Sequence, residues 1–203
     1  MLAIVVVPMF VLALLTVLIK FYTGELSYTG KTEGLILLSD VSLIQDRERY
    51  FLDATVDIDL PINIKAGLDS GVPLVFVLTM KFSTPSKFWF DKKIETIEHR
   101  RSLTYYELTR HYRVRLLSTN THRNYRSLSS ALRGLGTIEG LPLMLNKTPL
   151  LFSDSETTSV ADANAVVAAL DFRLDSRSLP LPLQPVLTSS WRLASKELTW
   201  PVN

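Results

Sequence analysis

Cysteine is absent from the 203 residues of this chain. Disulfides, thiolate metal sites and cysteine nucleophiles are therefore excluded, and cysteine usage does not indicate a compartment. Catalytic motifs are missing as well: the sequence contains no G-x-S-x-G, no phosphate-binding loop with its lysine and no H-E-x-x-H. Because no recognisable hydrolase, nucleotide-binding or metalloprotease motif is present, we predict a protein without catalytic residues, cofactor or metal ion.

Charge is distributed unevenly along the chain. The formal net charge is +2, but residues 87–133 carry eleven Lys or Arg against four Asp or Glu, which puts this segment at +7 and the remainder at −5. With 47% apolar and 21% charged residues, the chain is long enough for one folded domain with an appendage, and extensive disorder is excluded. The chain is thus polarised into a basic segment and an acidic remainder.

Residues 2–19 contain no charged side chain and only Thr16 as a polar one. This length suits a helix that crosses the hydrocarbon core of a membrane, and the lysine and two aromatics at 20–22 suit the membrane interface. We predict that residues 1–22 are an uncleaved anchor in the inner membrane. A cleaved signal segment, which would leave a periplasmic protein, and a buried soluble helix are the alternatives.

The part beyond the apolar segment divides into a linker and a domain. Residues 23–34 mix Gly, Ser, Thr and charges without periodicity, as a linker does, and a folded domain is predicted over residues 35–203. Strict alternation over 50–60 (YFLDATVDIDL) predicts a half-buried strand, and the more apolar run over 72–82 predicts a central one.

Similar patterns predict the remaining elements. Strands are expected at 35–43 with a break or bulge, 92–105, 110–117, 166–174 and, as edge strands, 191–200, with short helices at 62–69 and 128–135. Prolines favour irregular or edge structure at 141–152, and an extended crossover or a docking strip at 179–185. Short strands at this spacing with two small helices predict a mainly β domain, either an antiparallel β-sandwich or a barrel-like fold.

Residues 88–115 combine aromatics and cations more densely than any other part of the chain. They predict two strands joined near residues 106–109, with aromatics in the core and cations in water, a composition that alternation produces for stability alone. The alternatives are a patch that binds a protein partner and a face for anionic lipid or another polyanion. The candidate partner-binding residues are Trp89, Lys92, Arg110, Tyr112 and Arg113.

Two sets of side chains could bind a metal ion, but we predict a purely structural role for both. All three histidines lie in the basic segment, at His99, His111 and His122. No carboxylate recurs beside them at a metal-ligand spacing, and the neighbouring arginines would repel a cation. Carboxylates also alternate along the strand predicted at 50–60, at Asp53, Asp57 and Asp59. Because no glycine-bearing ligand loop accompanies them, we predict a solvated outer face.

Several short motifs together resemble one protein family. They are GVPL at 71–74, WFDK at 89–92, LTY at 103–105, LTRHYRV at 108–114, LDS at 174–176, LP at 179–180, PLQ at 182–184 and the terminal tryptophans. Through them the whole soluble part is similar to the proteobacterial domain of unknown function family number 4390, sometimes labelled a proline-rich signal-peptide protein. The resemblance implies an exported envelope domain of Gram-negative bacteria, with genes often beside a nitrogen-regulation-type sensor kinase, and it implies no activity. The chain departs from the family pattern in lacking a good signal cleavage site.

The function expected from the residues and the resemblance is binding. We predict a non-enzymatic accessory module, held in the membrane by residues 2–22 with its domain in the periplasm, that contacts a membrane protein such as the sensor kinase. The alternative is a binder of anionic lipid or envelope glycan through the basic aromatic face. Nucleic acid is not expected as a partner, because the domain is membrane-tethered and the net charge is near zero.

Overall fold

The computed structural model describes residues 34–47, 49–84, 92–144, 166–179 and 191–202, except for the side chains of residues 92–94. All of them belong to the unit Glu33–Asn203. The predicted anchor at residues 1–22 and most of the predicted linker lie outside the described residues. Among the residues that are described, no helix has the length and apolar character needed to cross a membrane.

The described chain is mainly β, as predicted. Its elements in order are β1 (Leu35–Asp46), β2 (Arg49–Asp59), α1 (Ile62–Asp69), β3 (Leu74–Thr84), β4 (Lys92–Tyr106), β5 (His111–Leu116), β6 (His122–Tyr125), α2 (Leu128–Gly136), β7 (Thr137–Leu143), β8 (Val166–Leu174), a 3-10 turn (Ser176–Ser178) and β9 (Leu198–Val202). The two predicted helices therefore form within one residue of their expected bounds.

The strands form two separate antiparallel sheets. The smaller sheet has the order β1-β2-β7 and the larger has the order β6-β5-β4-β3-β8-β9. The predicted antiparallel fold is confirmed, but the barrel-like alternative is wrong, since both sheets stay open. The larger sheet ends in strands of only four and five residues, and one of them contains Pro201, which has no N–H to donate to a further strand.

The core lies between the inner faces of the two sheets. Alternate residues of β2, β3 and β8 are buried in one hydrophobic cluster, with Phe76 and Phe172 stacked at 5.6 Å between ring centroids. This burial is the main source of stability, because apolar area removed from water contributes about 25 cal/mol per Å². The alternating apolar residues from which β2 is predicted are therefore the ones that pack in the core.

Helix α2 connects the two sheets. Ser127 caps its start by accepting a hydrogen bond from the Ser130 N–H at 3.2 Å, while Leu135 is fully buried. At its end, Gly136 lies so close to the Val56 carbonyl oxygen of β2 that any Cβ would overlap that oxygen. The helix packs against β2 of the smaller sheet and against β5 and β6 of the larger one. It therefore holds its place only with glycine at 136.

Most predicted irregularities are found where they were expected. The bulge in β1 lies between Ser39 and Ser42, and β3 is an interior strand of the larger sheet. Pro142 lies in β7, an edge strand, as its missing N–H requires. Of the proline-rich stretch 179–185 only Leu179 is described.

Candidate functional site

The described part of the aromatic and cationic segment 88–115 folds as the hairpin β4–β5, with a turn at residues 107–110. At this tip the Leu108 side chain is fully exposed, and Arg110 is exposed with a positive φ of 47°. A side chain in that backbone region is uncommon and is held there by the turn. The tip therefore presents a cation next to an apolar side chain.

Arg113 is fixed on the outer face of the hairpin. Its guanidinium carbon lies 4.5 Å from the centroid of the Tyr106 ring, and its Nη1 donates to the Tyr106 hydroxyl at 3.2 Å. The Nε donates to Asn124 Oδ1 at 3.1 Å, and Tyr106 in turn stacks on His111 with 5.2 Å between centroids. Stacking and hydrogen bonds together hold the guanidinium in one orientation.

Tyr112 lies on the opposite face from Arg113, because successive side chains of a strand alternate. Its ring packs on Tyr105 at 4.8 Å, and its hydroxyl donates to Asp69 Oδ1 at 3.4 Å. Burial, together with the Asp69 carboxylate, raises the pKa of Tyr112. Tyr112 therefore fastens the hairpin to the end of α1 and does not share a surface with Arg113.

Lys92 lies far from this tip. Lys92 pairs with Thr84 near the start of β4, whereas Tyr112 pairs with Tyr105 near its end. At about 3.4 Å per residue, these two positions on β4 are roughly 40 Å apart. Trp89 lies outside the described residues. Of the four described candidates, Arg110 is exposed in the turn and Arg113 lies on the outer face, whereas Tyr112 lies on the inner face and Lys92 at the other end of β4.

Paired charges cover the outer face of the larger sheet over β3, β4 and β8. Arg173 Nη1 lies 2.7 Å from Asp171 Oδ2 and donates to Thr79 Oγ1 at 2.6 Å. The network continues through the pairs Arg173–Glu98, Lys81–Asp171, Lys81–Glu197, Arg100–Glu98 and Arg100–Asp175. Each exposed pair contributes little stability, but together they neutralise this face.

A concave site lies on the inner side of the same strands. A cleft of about 700 Å³ opens between β4, β5 and β6, helix α2 and the start of β7. It is lined by Arg101, Val114, Leu116, Thr121, His122, Arg123, Tyr125, Ser130, Arg133, Gly134, Thr137 and Glu139. We call this site the arginine cleft.

Arg101 forms part of the wall of the arginine cleft. Its Nη1 donates to the carbonyl oxygens of Leu135 at 2.8 Å and Thr137 at 2.7 Å, which closes the C-terminal end of α2. A cation is favoured there, because the last carbonyls of a helix carry partial negative charge. Burial lowers the pKa of Arg101, but an arginine stays charged at neutral pH.

The other two arginines of the cleft differ from Arg100 and Arg173 of the outer face. Arg123 and Arg133 are exposed, and no ion pair forms at either within the described chain. The Tyr125 hydroxyl, also in the cleft, lies against Gly134, where a Cβ would overlap it. Glycine at 134 thus lets the tyrosine ring lie directly on α2.

His99 is half-buried on the inner face of β4, opposite Leu78 of β3. Neither ring nitrogen has a hydrogen-bond partner among the described residues. Burial, and secondarily the charge of Arg101, lowers the pKa of His99. A neutral imidazole is therefore the favoured form.

The carboxylates of β2 do not converge on a common point. Asp53 accepts a hydrogen bond from the Gly140 N–H at 2.5 Å and so supports the β2–β7 pairing, while Asp57 and Asp59 are exposed. Within the described ranges, no group of three or more His, Asp or Glu side chains could hold a metal ion.

The arginine cleft was missed by the sequence analysis. One signal existed: the β4 alternation that buries Leu103 also points Arg101 inward, so a cation falls on an apolar face. Arg123 and Arg133 gave no such signal, because their proximity depends on how α2 packs against β6.

The fold and the site define a class of protein: an antiparallel β domain with two open sheets and an inward basic cleft. The particular family follows from comparison. The model of the family described as "Domain of unknown function (DUF4390)" matches residues 35–201, and the chain belongs to that family. No curated protein and no solved structure matches the chain.

Proposed function

We propose that this domain is a non-enzymatic binding module that contacts a protein partner through the outer side of the β4–β5 tip. The observation that carries the proposal is the fixed Arg113, held on Tyr106 and bonded to Asn124, with Arg110 and Leu108 exposed beside it. Arginine and tyrosine are enriched among the residues that dominate binding energy. A guanidinium that is already ordered loses less side-chain entropy when a partner binds.

The proposed partner is a membrane protein with an acidic surface, and the family resemblance suggests a sensor kinase. The proposal includes an inner-membrane anchor at residues 2–22 with the domain in the periplasm. A fusion of alkaline phosphatase to the C-terminus tests this location, because that enzyme is active only after export. Active fusion protein in the membrane fraction is expected, and inactive fusion protein would contradict the proposed location.

Charge reversal tests the contact surface. The double variant Arg110→Glu/Arg113→Glu is expected to abolish chemical cross-linking and co-purification of the full chain with its membrane partner. The matched control is Arg192→Glu/Lys196→Glu, which changes the net charge equally at exposed positions outside the hairpin. Circular dichroism verifies that both variants fold. Equal recovery of the partner by both variants would refute the proposal.

Anionic lipid or envelope glycan is the second candidate for this tip, and the +7 charge of residues 87–133 favours it. Attraction of this kind weakens with salt, because the Debye length falls from about 10 Å at 0.1 M to about 3 Å at 1 M. Salt-sensitive binding to anionic vesicles that Arg110→Glu/Arg113→Glu abolishes, without recovery of a protein partner, would favour the second candidate.

A further inference from the structure

The larger sheet carries both paired and unpaired cations. On its outer face, Arg100 of β4 and Arg173 of β8 each have carboxylates within 4.0 Å. In the arginine cleft, Arg123 and Arg133 have none within the part of the chain that the structure describes. Like charges gathered without counter-ions destabilise a fold unless something else compensates them. Their presence in a concave site indicates an anionic ligand.

The charge of the lining side chains indicates what kind of anion fits. Arg101, Arg123 and Arg133 line the cleft together with Glu139, the one carboxylate among the described lining residues, so these four side chains carry a net charge of +2. A phosphate monoester carries between one and two negative charges near pH 7. The planar guanidinium is also the side chain that binds phosphate oxygens in pairs.

Neutral groups of the cleft complete the site. The Tyr125 hydroxyl makes no hydrogen bond within the described chain and lies at Gly134, so it is free to donate to a ligand oxygen. Val114 and Leu116 line the cleft from β5 and offer apolar contact. Arg101 is bonded to two carbonyl oxygens and contributes positive potential without a direct contact.

We propose that the arginine cleft is a binding site for a phosphate monoester. Arg123 and Arg133 hold the phosphate oxygens, Tyr125 donates to a third oxygen, and Val114 and Leu116 contact the carbon portion of the ligand. This site is independent of the hairpin tip, since Arg110 and Arg113 do not line it. The phosphate belongs either to a soluble ester or to the headgroup of a lipid, and the two sources share the chemistry of recognition.

Isothermal titration calorimetry tests the proposal on the full chain held in phosphatidylcholine nanodiscs, with sn-glycerol 3-phosphate as the probe. Saturable binding is expected, and Arg123→Gln/Arg133→Gln should weaken it about tenfold or more, because two charge-assisted hydrogen-bonding groups are lost. The control Arg126→Gln/Arg192→Gln removes the same charge from exposed positions that do not line the cleft and should bind as the natural chain does. Absence of binding by the natural chain, or equal binding by both double variants, would overturn the site.

The variant Glu139→Gln tests the site through an expected gain in ligand affinity, which a folding defect would not produce. Removing the single carboxylate should tighten binding of glycerol 3-phosphate by a few fold, since it repels the phosphate. Unchanged or weaker binding by this variant would count against the proposal.

Nanodiscs that contain phosphatidic acid distinguish the two sources of phosphate. If the lipid headgroup occupies the cleft, glycerol 3-phosphate should bind in phosphatidylcholine discs and lose that binding in phosphatidic acid discs. If the ligand is a soluble ester, binding should be similar in both at about 0.15 M salt, where surface charge is screened within about 8 Å. Either result supports a phosphate site, and no binding in either disc refutes it.

Discussion

Arg101 of β4 donates a hydrogen bond to the carbonyl oxygen of Leu135, the buried penultimate residue of α2, at 2.8 Å. The same nitrogen also bonds Thr137, the first residue of β7. One guanidinium therefore joins the larger sheet to the helix and to the first strand residue that follows it. Arg101 also lines the arginine cleft.

Replacing Arg101 should destabilise the fold more than replacing an exposed arginine. Arg101→Met leaves the carbonyl oxygens of Leu135 and Thr137 without this donor, and we expect a loss of about 2 to 3 kcal/mol in the free energy of unfolding. Arg115→Met, an exposed position of β5, should change it by less than about 0.5 kcal/mol. Urea denaturation followed by circular dichroism gives both values. Similar losses for the two variants would show that the bonds to α2 contribute little.

Gly67 of α1 should not tolerate alanine, although alanine ordinarily favours a helix by about 1 kcal/mol over glycine. A Cβ at this position would overlap the six-membered ring of Trp191, which is 2% exposed. We expect Gly67→Ala to cost about 1 to 3 kcal/mol through overpacking.

The variant Trp191→Phe, with its smaller ring, provides the control for this overlap. The double variant Gly67→Ala/Trp191→Phe should lose less stability than the sum of the two single losses, because the two side chains then no longer compete for one volume. Additive losses in thermal or chemical denaturation would rule out the steric explanation.

His99 should make the domain less stable in mild acid. Burial, and then the charge of Arg101, lowers the pKa of His99 below its ordinary 6.5, so the unfolded chain binds more protons just beneath that value. The free energy of unfolding therefore falls as the pH falls through 6.5, by at most about 1.4 kcal/mol per pH unit, and levels off below the folded pKa. Denaturation in urea at pH values between about 5 and 8 measures the slope.

The variant His99→Phe isolates this contribution. It keeps an aromatic ring opposite Leu78 but carries no proton to titrate, so its stability should depend less on pH in the same window. An identical slope in the variant and the natural chain would assign the pH dependence to other groups.

The start of α2 depends on the Ser127 side chain. Its hydroxyl accepts from the Ser130 N–H at 3.2 Å, and Ser127→Ala should cost about 1 kcal/mol. Ser127→Asp is the matched variant: its carboxylate can accept the same bond and is favoured at a helix N-terminus, so stability should stay within about 0.5 kcal/mol. A loss in Ser127→Asp equal to that in Ser127→Ala would mean that the capping bond is unimportant.

Local pattern determined much of the fold in advance. The alternation over residues 50–60 became β2, and the serine at 127 followed by an amphipathic stretch became α2. Both depend on interactions between residues near one another in sequence and on the separation of apolar from polar faces. The motifs that indicated the family were likewise readable without coordinates, and the family match over residues 35–201 agrees with them.

Tertiary packing determines which residues come together in the candidate sites. Tyr112 and Arg113 are neighbours in sequence, yet the pleat places one against α1 and the other on the outer face, which composition alone does not show. Arg123 and Arg133 line one cleft because α2 packs against β6, and the glycine at 134 permits the contact with Tyr125. The sequence by itself determined which segments are strands and helices, since hydrophobic periodicity is local. Only the tertiary structure decided which cations form ion pairs among the described residues, because that depends on contacts between distant segments.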